Sequence, residues 1–167
     1  MTRCDLRVGV IGLGALGLPM AANLRRADVP LRVHTRSRNA EHDPSLLGAI
    51  TCATPAEAAE GVDVLLVCVS DNAAVEAVLF GANGASNQLA AGSVVVDCST
   101  IAPATAITSA QRLARQDVHY LDAPVTGGTE GAKAGSLTVL VGGKTAALDR
   151  ARPVLEIIGG SIHHFGP

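Results

Sequence analysis

Short apolar segments alternate with segments of helical periodicity along the whole chain. Several of the apolar segments are continuous runs of valine, leucine and isoleucine, which is typical of strands buried on both faces of a parallel sheet. The pattern predicts strands over residues 6–11, 31–35, 49–52, 62–69, 93–97, 118–122, 137–141 and 162–165.

Helices are predicted between these strands, over residues 16–26, 55–60, 72–79, 103–115 and 145–158. The second opens with Thr54 as a cap and Pro55 at its first position, and the third follows Asp71. Pro153 falls inside the last helix and predicts a kink or a split there. The alternation predicts one α/β domain over residues 1–167, a Rossmann-type doubly wound, mostly parallel sheet with helices on both faces.

The sequence GLGALG at residues 12–17 lies between the first predicted strand and the first predicted helix. In that context a G-x-G-x-x-G motif binds the pyrophosphate of a dinucleotide. Gly12 would allow a tight turn, Gly14 a close approach of backbone to phosphate, and Gly17 close packing of helix on strand. The helix N-terminus would supply N–H groups and a positive dipole end. An ordinary strand–helix turn that requires glycines remains the alternative.

The end of the second predicted strand reads VHTRSR at residues 33–38 and contains no acidic residue. An NAD site usually places Asp or Glu there, to accept a hydrogen bond from the ribose 2′-OH. Arg36 and Arg38, flanked by the hydroxyls of Thr35 and Ser37, are suited to a 2′-phosphate instead. We therefore expect NADP rather than NAD, unless the two arginines only solvate a surface loop.

Composition narrows the class of protein further. The chain is 48% hydrophobic and 17% charged, with a formal net charge of −2 and 2% aromatic residues. No basic block and few aromatic side chains argue against nucleic-acid binding. The four cysteines (Cys4, Cys52, Cys68 and Cys98) form no C-x-x-C pair, and no metal site is expected. Cys52, Cys68 and Cys98 lie in or beside apolar runs, which suits buried, reduced thiols. Without a signal peptide or an apolar run of membrane-spanning length, we expect a cytoplasmic protein that does not associate with membranes.

Three motifs in order carry a family resemblance: GLGALGLPMAANL, VVVDCST and DAPVTGGTEGAKAGSLTVLVGG. Together they resemble the β-hydroxyacid dehydrogenase family, which includes 3-hydroxyisobutyrate dehydrogenase and the glyoxylate and succinic semialdehyde reductases. The resemblance covers residues 6–167, and the Thr-Gly-Gly-x-x-Gly-Ala segment is more specific than the glycine turn. It implies hydride transfer between a nicotinamide dinucleotide and a small hydroxy acid or its aldehyde.

The resemblance also implies roles for individual residues. Arg36 matches the arginine that marks NADP preference in the family. Ser99 would lie near the nicotinamide and the substrate, and Thr126, Gly127 and Gly128 would bind the substrate carboxylate. The implied cofactor-binding residues are Gly12, Leu13, Gly14, Ala15, Leu16, Gly17, Thr35, Arg36, Ser37, Val69, Ser70 and Thr100.

The Thr126-Gly127-Gly128 segment has a physical reason to bind a carboxylate, because glycine N–H groups and a hydroxyl form a small anion-binding nest. A turn followed by a long flexible loop is the alternative. Asp97 and Asp122 are expected to act as caps rather than as general bases. His163 and His164 are adjacent on a predicted strand and would point to opposite faces, so we expect no shared metal ion.

No catalytic residue is predicted within these 167 residues. Hydride transfer to a carbonyl requires a proton donor, which in the family is a lysine on a long helix after the segment that matches residues 162–167. Lys133 and Lys144 do not match that position. The family's C-terminal helical domain, which forms its dimer, is also absent, so we expect a homo-oligomer only for the full-length protein. A non-catalytic dinucleotide-binding module and an imine reductase-like enzyme are the alternatives.

Overall fold

The computed structural model describes residues 5–167, and its larger sheet has six parallel strands. The strands occur in the order β3-β2-β1-β4-β5-β6, so the chain reverses its direction of growth between β1 and β4. In such sheets the reversal leaves a crevice at the carboxyl ends of the strands. Their bounds are β1 (Val8–Ile11), β2 (Leu31–His34), β3 (Ile50–Thr51), β4 (Val64–Val67), β5 (Val94–Asp97) and β6 (His119–Asp122).

Helices cover both faces of this sheet, as predicted. One buried cluster joins Val8 and Val10 to Met20 of α1 and Leu155 of α6. A second buried cluster joins Ile11 to α3 and α4 on the other face of the sheet. Alternate residues of one strand therefore pack against opposite layers. The helices are α1 (Gly17–Arg26), α2 (Pro55–Ala59), α3 (Asn72–Phe80), α4 (Pro103–Ala114), α5 (Gly128–Ala134) and α6 (Thr145–Ile158).

The predicted helix starts have the expected caps. Thr54 accepts a hydrogen bond from the amide of Glu57 at 3.1 Å, and Asp71 accepts one from the amide of Ala74 at 2.8 Å. Pro153 does not split α6, which runs without interruption to Ile158, so the predicted split is wrong. The proline is exposed, and the buried residues on the opposite face of α6 hold the helix against the sheet.

A second, three-stranded sheet was not predicted. It consists of β7 (Val125–Thr126), β8 (Leu137–Val141) and β9 (Gly159–His164). β8 pairs antiparallel with β7 and parallel with β9, and a single bridge between Asp122 and Gly142 links it to β6. Hydrophobic periodicity found β8 with its observed bounds, but it reports burial and not the identity of the partner strand.

The structure also bears on the cysteines, on membrane-spanning helices and on metal-ligand clusters. Cys52 and Cys98 are buried free thiols and Cys68 is half-buried, whereas Cys4 lies outside the described residues. Over residues 5–167, none of the helices is both long and apolar enough to cross a bilayer. The same residues contain no cluster of three or more His, Cys, Asp or Glu side chains arranged to hold a metal ion.

Candidate dinucleotide-binding site

The three glycines between β1 and α1 are constrained in three different ways. Gly12 has a φ of +94°, and a Cβ atom there would overlap the carbonyl oxygen of Cys68. A Cβ atom on Gly17 would overlap the carbonyl oxygen of Gly12, so α1 meets the end of β1 at a separation that only glycine permits. A Cβ atom on Gly14 would meet no atom within 4 Å. The fold therefore requires Gly12 and Gly17, whereas Gly14 leaves room for a ligand.

The N-terminus of α1 presents backbone N–H groups beside Gly14. Leu18 donates to the carbonyl oxygen of Gly14 at 3.1 Å, which starts the helical hydrogen bonding. Within residues 5–167, the amides of Ala15, Leu16 and Gly17 have no protein acceptor. Free N–H groups at the positive end of a helix dipole favour a bound anion.

A cleft of about 470 Å³ opens at the carboxyl ends of β1, β2 and β4, where the strand order reverses. Ala74, Ala77 and Val78 of α3 form one of its walls. The structure brings ten of the predicted cofactor-binding residues together around this cleft: Gly12, Leu13, Gly14, Ala15, Leu16, Thr35, Arg36, Ser37, Val69 and Ser70.

Three other sequence candidates are not part of the cleft lining. Gly17 lies behind the glycine turn, and Thr100 is exposed beyond β5. Ser99 is buried, and its hydroxyl accepts a hydrogen bond from the amide of Val69 at 3.0 Å. Ser99 therefore joins the segments that follow β4 and β5, instead of facing the cleft.

Two titratable groups lie at the base of the cleft: the thiol of Cys68, which lines it, and the buried carboxyl group of Asp97. Burial and the nearby charge of Asp97 raise the pKa of Cys68 to about 11. Asp97 accepts hydrogen bonds from the amide of Ser99 at 3.0 Å and from the hydroxyl of Tyr120 at 2.8 Å, while burial raises its pKa. Asp97 is a loop cap, as predicted. The pKa of Asp122 is also raised, by burial and by Asp97, but its side chain caps none of the described amides.

The end of β2 differs from the sequence expectation in one respect, because an acidic residue is present there. Glu41 folds back from a 3₁₀ turn, and its carboxylate accepts from the amide of Thr35 at 2.8 Å and from Nε of Arg38 at 2.7 Å. Arg38 is thus engaged with Glu41, whereas exposed Arg36 lines the cleft; its charge helps to lower the pKa of Asp71, but no ion pair within 4 Å joins it to a described acid. Glu41 was not predicted as part of this site because it lies several residues beyond the end of β2. An acidic residue flanked by arginine and histidine within a short loop is the signal that points to it.

The segment proposed for the substrate carboxylate starts a helix. Thr126 ends β7, Gly127 and Gly128 have φ values of +130° and +63°, and α5 follows directly. The alternative of a long flexible loop is therefore wrong. Lys133 lies on α5 and pairs with Glu130 at 2.9 Å.

α5 packs against α1, the helix that follows the glycine turn. Asn23 of α1 donates to the carbonyl oxygen of Ala132 at 2.7 Å and holds the two helices together. A second cleft of about 450 Å³ includes Thr129 on α5 and shares Gly14 with the first cleft. The three proposed substrate residues themselves are exposed and line neither cleft.

The two adjacent histidines lie on β9, as predicted, and both are exposed. A ring nitrogen of His164 (Nε2) lies 2.7 Å from the carbonyl oxygen of Gly143, so it donates to that oxygen. This contact fixes the end of β9 and does not involve His163.

Comparison with known families gives a match over nearly the whole chain. Residues 7–166 match the family described as the NAD binding domain of 6-phosphogluconate dehydrogenase. The 2-hydroxy-3-oxopropionate reductase of Escherichia coli (strain K12) is 40% identical over 161 residues, which are 96% of this chain and 55% of that protein. The 3-hydroxyisobutyrate dehydrogenase of Pseudomonas aeruginosa is 38% identical over 159 residues, which are 95% and 53%.

Among solved structures, Psf3 in complex with NADP+ and 2-OPP superposes with a TM-score of 0.90 at 35% sequence identity. The match covers 95% of this chain and 56% of Psf3. The chain thus spans about half the length of the relatives that it matches. These similarities confirm the Rossmann-type fold and the resemblance to the dinucleotide-binding half of β-hydroxyacid dehydrogenases.

Proposed function

The chain belongs to the family of the NAD binding domain of 6-phosphogluconate dehydrogenase, and on that premise we propose that it binds NADP in preference to NAD. We further propose that it serves an oxidoreductase that transfers hydride between NADP(H) and a small hydroxy acid or its semialdehyde or keto form. The observation that carries this proposal is that one cleft combines the open position at Gly14 with the exposed guanidinium of Arg36.

The residues present fit a dinucleotide of this kind. The open space at Gly14 and the free N–H groups of Ala15 and Leu16 suit a pyrophosphate. Arg36 lies at the β2 side of the same cleft, where a 2′-phosphate would extend from the adenosine ribose. Its planar guanidinium binds phosphate bidentately, and Ser37 adds a hydroxyl donor.

The nicotinamide, when bound, supplies or accepts the hydride. The protein's part is to hold the dinucleotide; the thiol of Cys68 in the cleft lining stays protonated, because burial raises its pKa to about 11. Proton transfer needs a further group, and within residues 5–167 no lysine lines the cofactor cleft. We infer that these residues bind the cofactor but do not by themselves complete the proton transfer.

The substrate carboxylate is assigned to Thr126, Gly127 and Gly128. Their support is the positive φ of both glycines at the start of α5, since backbone of this kind can form an anion-binding nest from successive N–H groups. Thr129, which follows this segment on α5, lines a second cleft that also includes Gly14 of the glycine turn, so the segment lies near the proposed cofactor site. A small acid held there would be adjacent to a bound dinucleotide.

The cofactor proposal is tested by titrating NADPH and NADH into the protein and into Arg36→Ala. We expect the wild type to bind NADPH more tightly than NADH, and Arg36→Ala to weaken NADPH about tenfold, since one charge-assisted contact is lost. NADH affinity should stay within about twofold. Arg115→Ala, at an exposed arginine that follows α4, is the matched control. Unchanged NADPH affinity in Arg36→Ala would refute the assignment.

The reaction class is tested with protein isolated from its natural source, by turnover with NADPH and short aldehydo and keto acids, with a cyclic imine as comparison. Oxidation of NADPH with the acids supports the hydroxyacid dehydrogenase proposal. Turnover of the imine alone would favour the imine reductase alternative. Cofactor binding without any turnover, in protein isolated from its natural source, would favour a non-catalytic binding module.

A further inference from the structure

One buried acid beside the cofactor cleft has no part in the chemistry described above. The side chain of Glu41 is 0% exposed, although the residue lies in a surface loop between β2 and β3. A buried carboxylate is costly unless it is fully hydrogen-bonded. The contacts that offset this cost therefore show what Glu41 holds in place.

The first contact of Glu41 reaches the glycine turn through one intermediate residue. Its Oε1 atom accepts from the amide N–H of Thr35 at 2.8 Å. The hydroxyl of Thr35 in turn accepts from the amide N–H of Leu13 at 3.4 Å. Glu41 thus fixes the backbone at the point where β2 ends and the cleft begins.

The second contact restrains an arginine. The Oε2 atom of Glu41 accepts from Nε of Arg38 at 2.7 Å. Arg38 has a φ of +63°, a left-handed conformation that is unfavourable for a residue with a Cβ atom. The ion pair with Glu41 stabilises this conformation, which closes the loop back onto the end of β2.

Arg36 lies between the two anchored positions. Thr35 is held on one side and Arg38 on the other, so the backbone of the intervening residues has little freedom. Arg36 and Ser37 line the cleft, while Arg38 does not. His34 does not hydrogen-bond to Glu41. Its Nδ1 atom donates to the carbonyl oxygen of Cys52 at 2.9 Å and lies 3.8 Å from the Glu41 carboxylate.

We propose that Glu41 is a positioning residue for cofactor selectivity, which holds the Thr35–Arg38 loop so that Arg36 is presented to a 2′-phosphate and Arg38 is not. The proposal rests on the proposed preference for NADP. An acid in this region therefore favours the phosphorylated cofactor by acting through the backbone, although an acid that contacted the ribose directly would favour NAD.

The test compares the dissociation constants of NADPH and NADH for the wild type and for Glu41→Gln. Glutamine keeps the size of the side chain and an acceptor for the Thr35 amide, but it loses the ion pair with Arg38. We expect NADPH to bind five- to tenfold more weakly and NADH to change by less than twofold. The matched control is Glu60→Gln, because Glu60 is 64% exposed and pairs with Arg32 at 3.2 Å.

A purely structural role would weaken both cofactors equally or lower only the thermal stability, and either result would overturn the proposal. Tighter binding of NADPH would overturn it too, because it would mean that Glu41 withholds Arg38 from the phosphate. If Glu41→Gln does not fold, Arg38→Lys replaces it, since lysine keeps the charge but lacks the Nε–H donor. The same selective loss of NADPH is then expected, and an unchanged ratio of the two constants would refute the proposal.

The outcomes also separate this proposal from the one on which it rests. A wild-type protein that binds NADH as tightly as NADPH contradicts both proposals. A wild type that prefers NADPH, together with a Glu41→Gln variant that keeps the preference, contradicts only the role of Glu41.

Discussion

The hydroxyl of Ser99 accepts a hydrogen bond from the amide N–H of Val69 at 3.0 Å, and this bond joins the segments that follow β5 and β4. Ser99 is only 3% exposed, so water cannot take the place of the hydroxyl. Ser99 therefore has a structural task at the edge of the cofactor cleft, separate from the substrate contact that family resemblance implies.

We expect Ser99→Ala to lower the free energy of unfolding by about 0.5–1.5 kcal/mol, because it removes the acceptor of the hydrogen bond that the part-buried N–H of Val69 donates. Urea unfolding measures the change, with Thr100→Ala as the control at an exposed neighbouring hydroxyl. A loss no larger than that of the control would contradict the structural role.

Alanine substitutions at Gly17 and Gly14 should affect different properties: protein stability at Gly17 and NADPH binding at Gly14. Gly17→Ala places a methyl group against the carbonyl oxygen of Gly12, and we expect a loss of about 1–3 kcal/mol in stability. Gly14→Ala meets no protein atom, so its stability should stay within about 0.5 kcal/mol of the wild type. Its methyl group would still obstruct a bound pyrophosphate and weaken NADPH binding. Thermal unfolding and NADPH titration of both variants separate the two effects, and normal NADPH affinity in Gly14→Ala would place the pyrophosphate elsewhere.

The buried carboxyl of Asp97 should make stability depend on pH. Its pKa is raised in the folded protein, so the unfolded chain releases this proton first as the pH rises. The group therefore destabilises the fold progressively from about pH 3.9, the usual pKa of Asp, up to its folded pKa, and by a constant amount above that.

Asp97→Asn removes this titration and keeps an acceptor for the amide of Ser99 and a donor for the hydroxyl of Tyr120. We expect the variant to gain stability relative to the wild type as the pH rises through that window. Chemical unfolding at several pH values measures the difference. Asp149→Asn, at an exposed position on α6, should show no such trend. A constant difference between Asp97→Asn and the wild type would contradict the raised pKa.

Sequence analysis predicted the larger sheet and five of the six helices, because their signals are local. Continuous apolar runs mark strands buried on both faces, and Pro55 and Asp71 mark helix starts whatever the rest of the chain does. α5 escaped because its sequence, GTEGAKA, contains two glycines and only a short apolar face. Its stability comes from packing on α1 through Asn23, which is a long-range contact.

The same division applies to the candidate site. The glycine turn and Arg36 were identified from sequence because their spacing after a buried strand carries a steric and electrostatic reason of its own. The inward orientation of Ser99 and the folding back of Glu41 were not identified. Each depends on a hydrogen bond to a residue on another segment: Val69 for the first, Thr35 for the second.

By itself, the sequence determined that the chain forms a doubly wound parallel sheet with a phosphate-binding turn after its first strand, since periodicity and glycine sterics act over a few neighbouring residues. Only the tertiary structure decided that β8 joins a separate sheet and that Arg38 pairs with Glu41, whereas Arg36 lines the cleft. The reason is physical: strand pairing and the satisfaction of a buried charge are settled by groups that become neighbours only after the chain has folded.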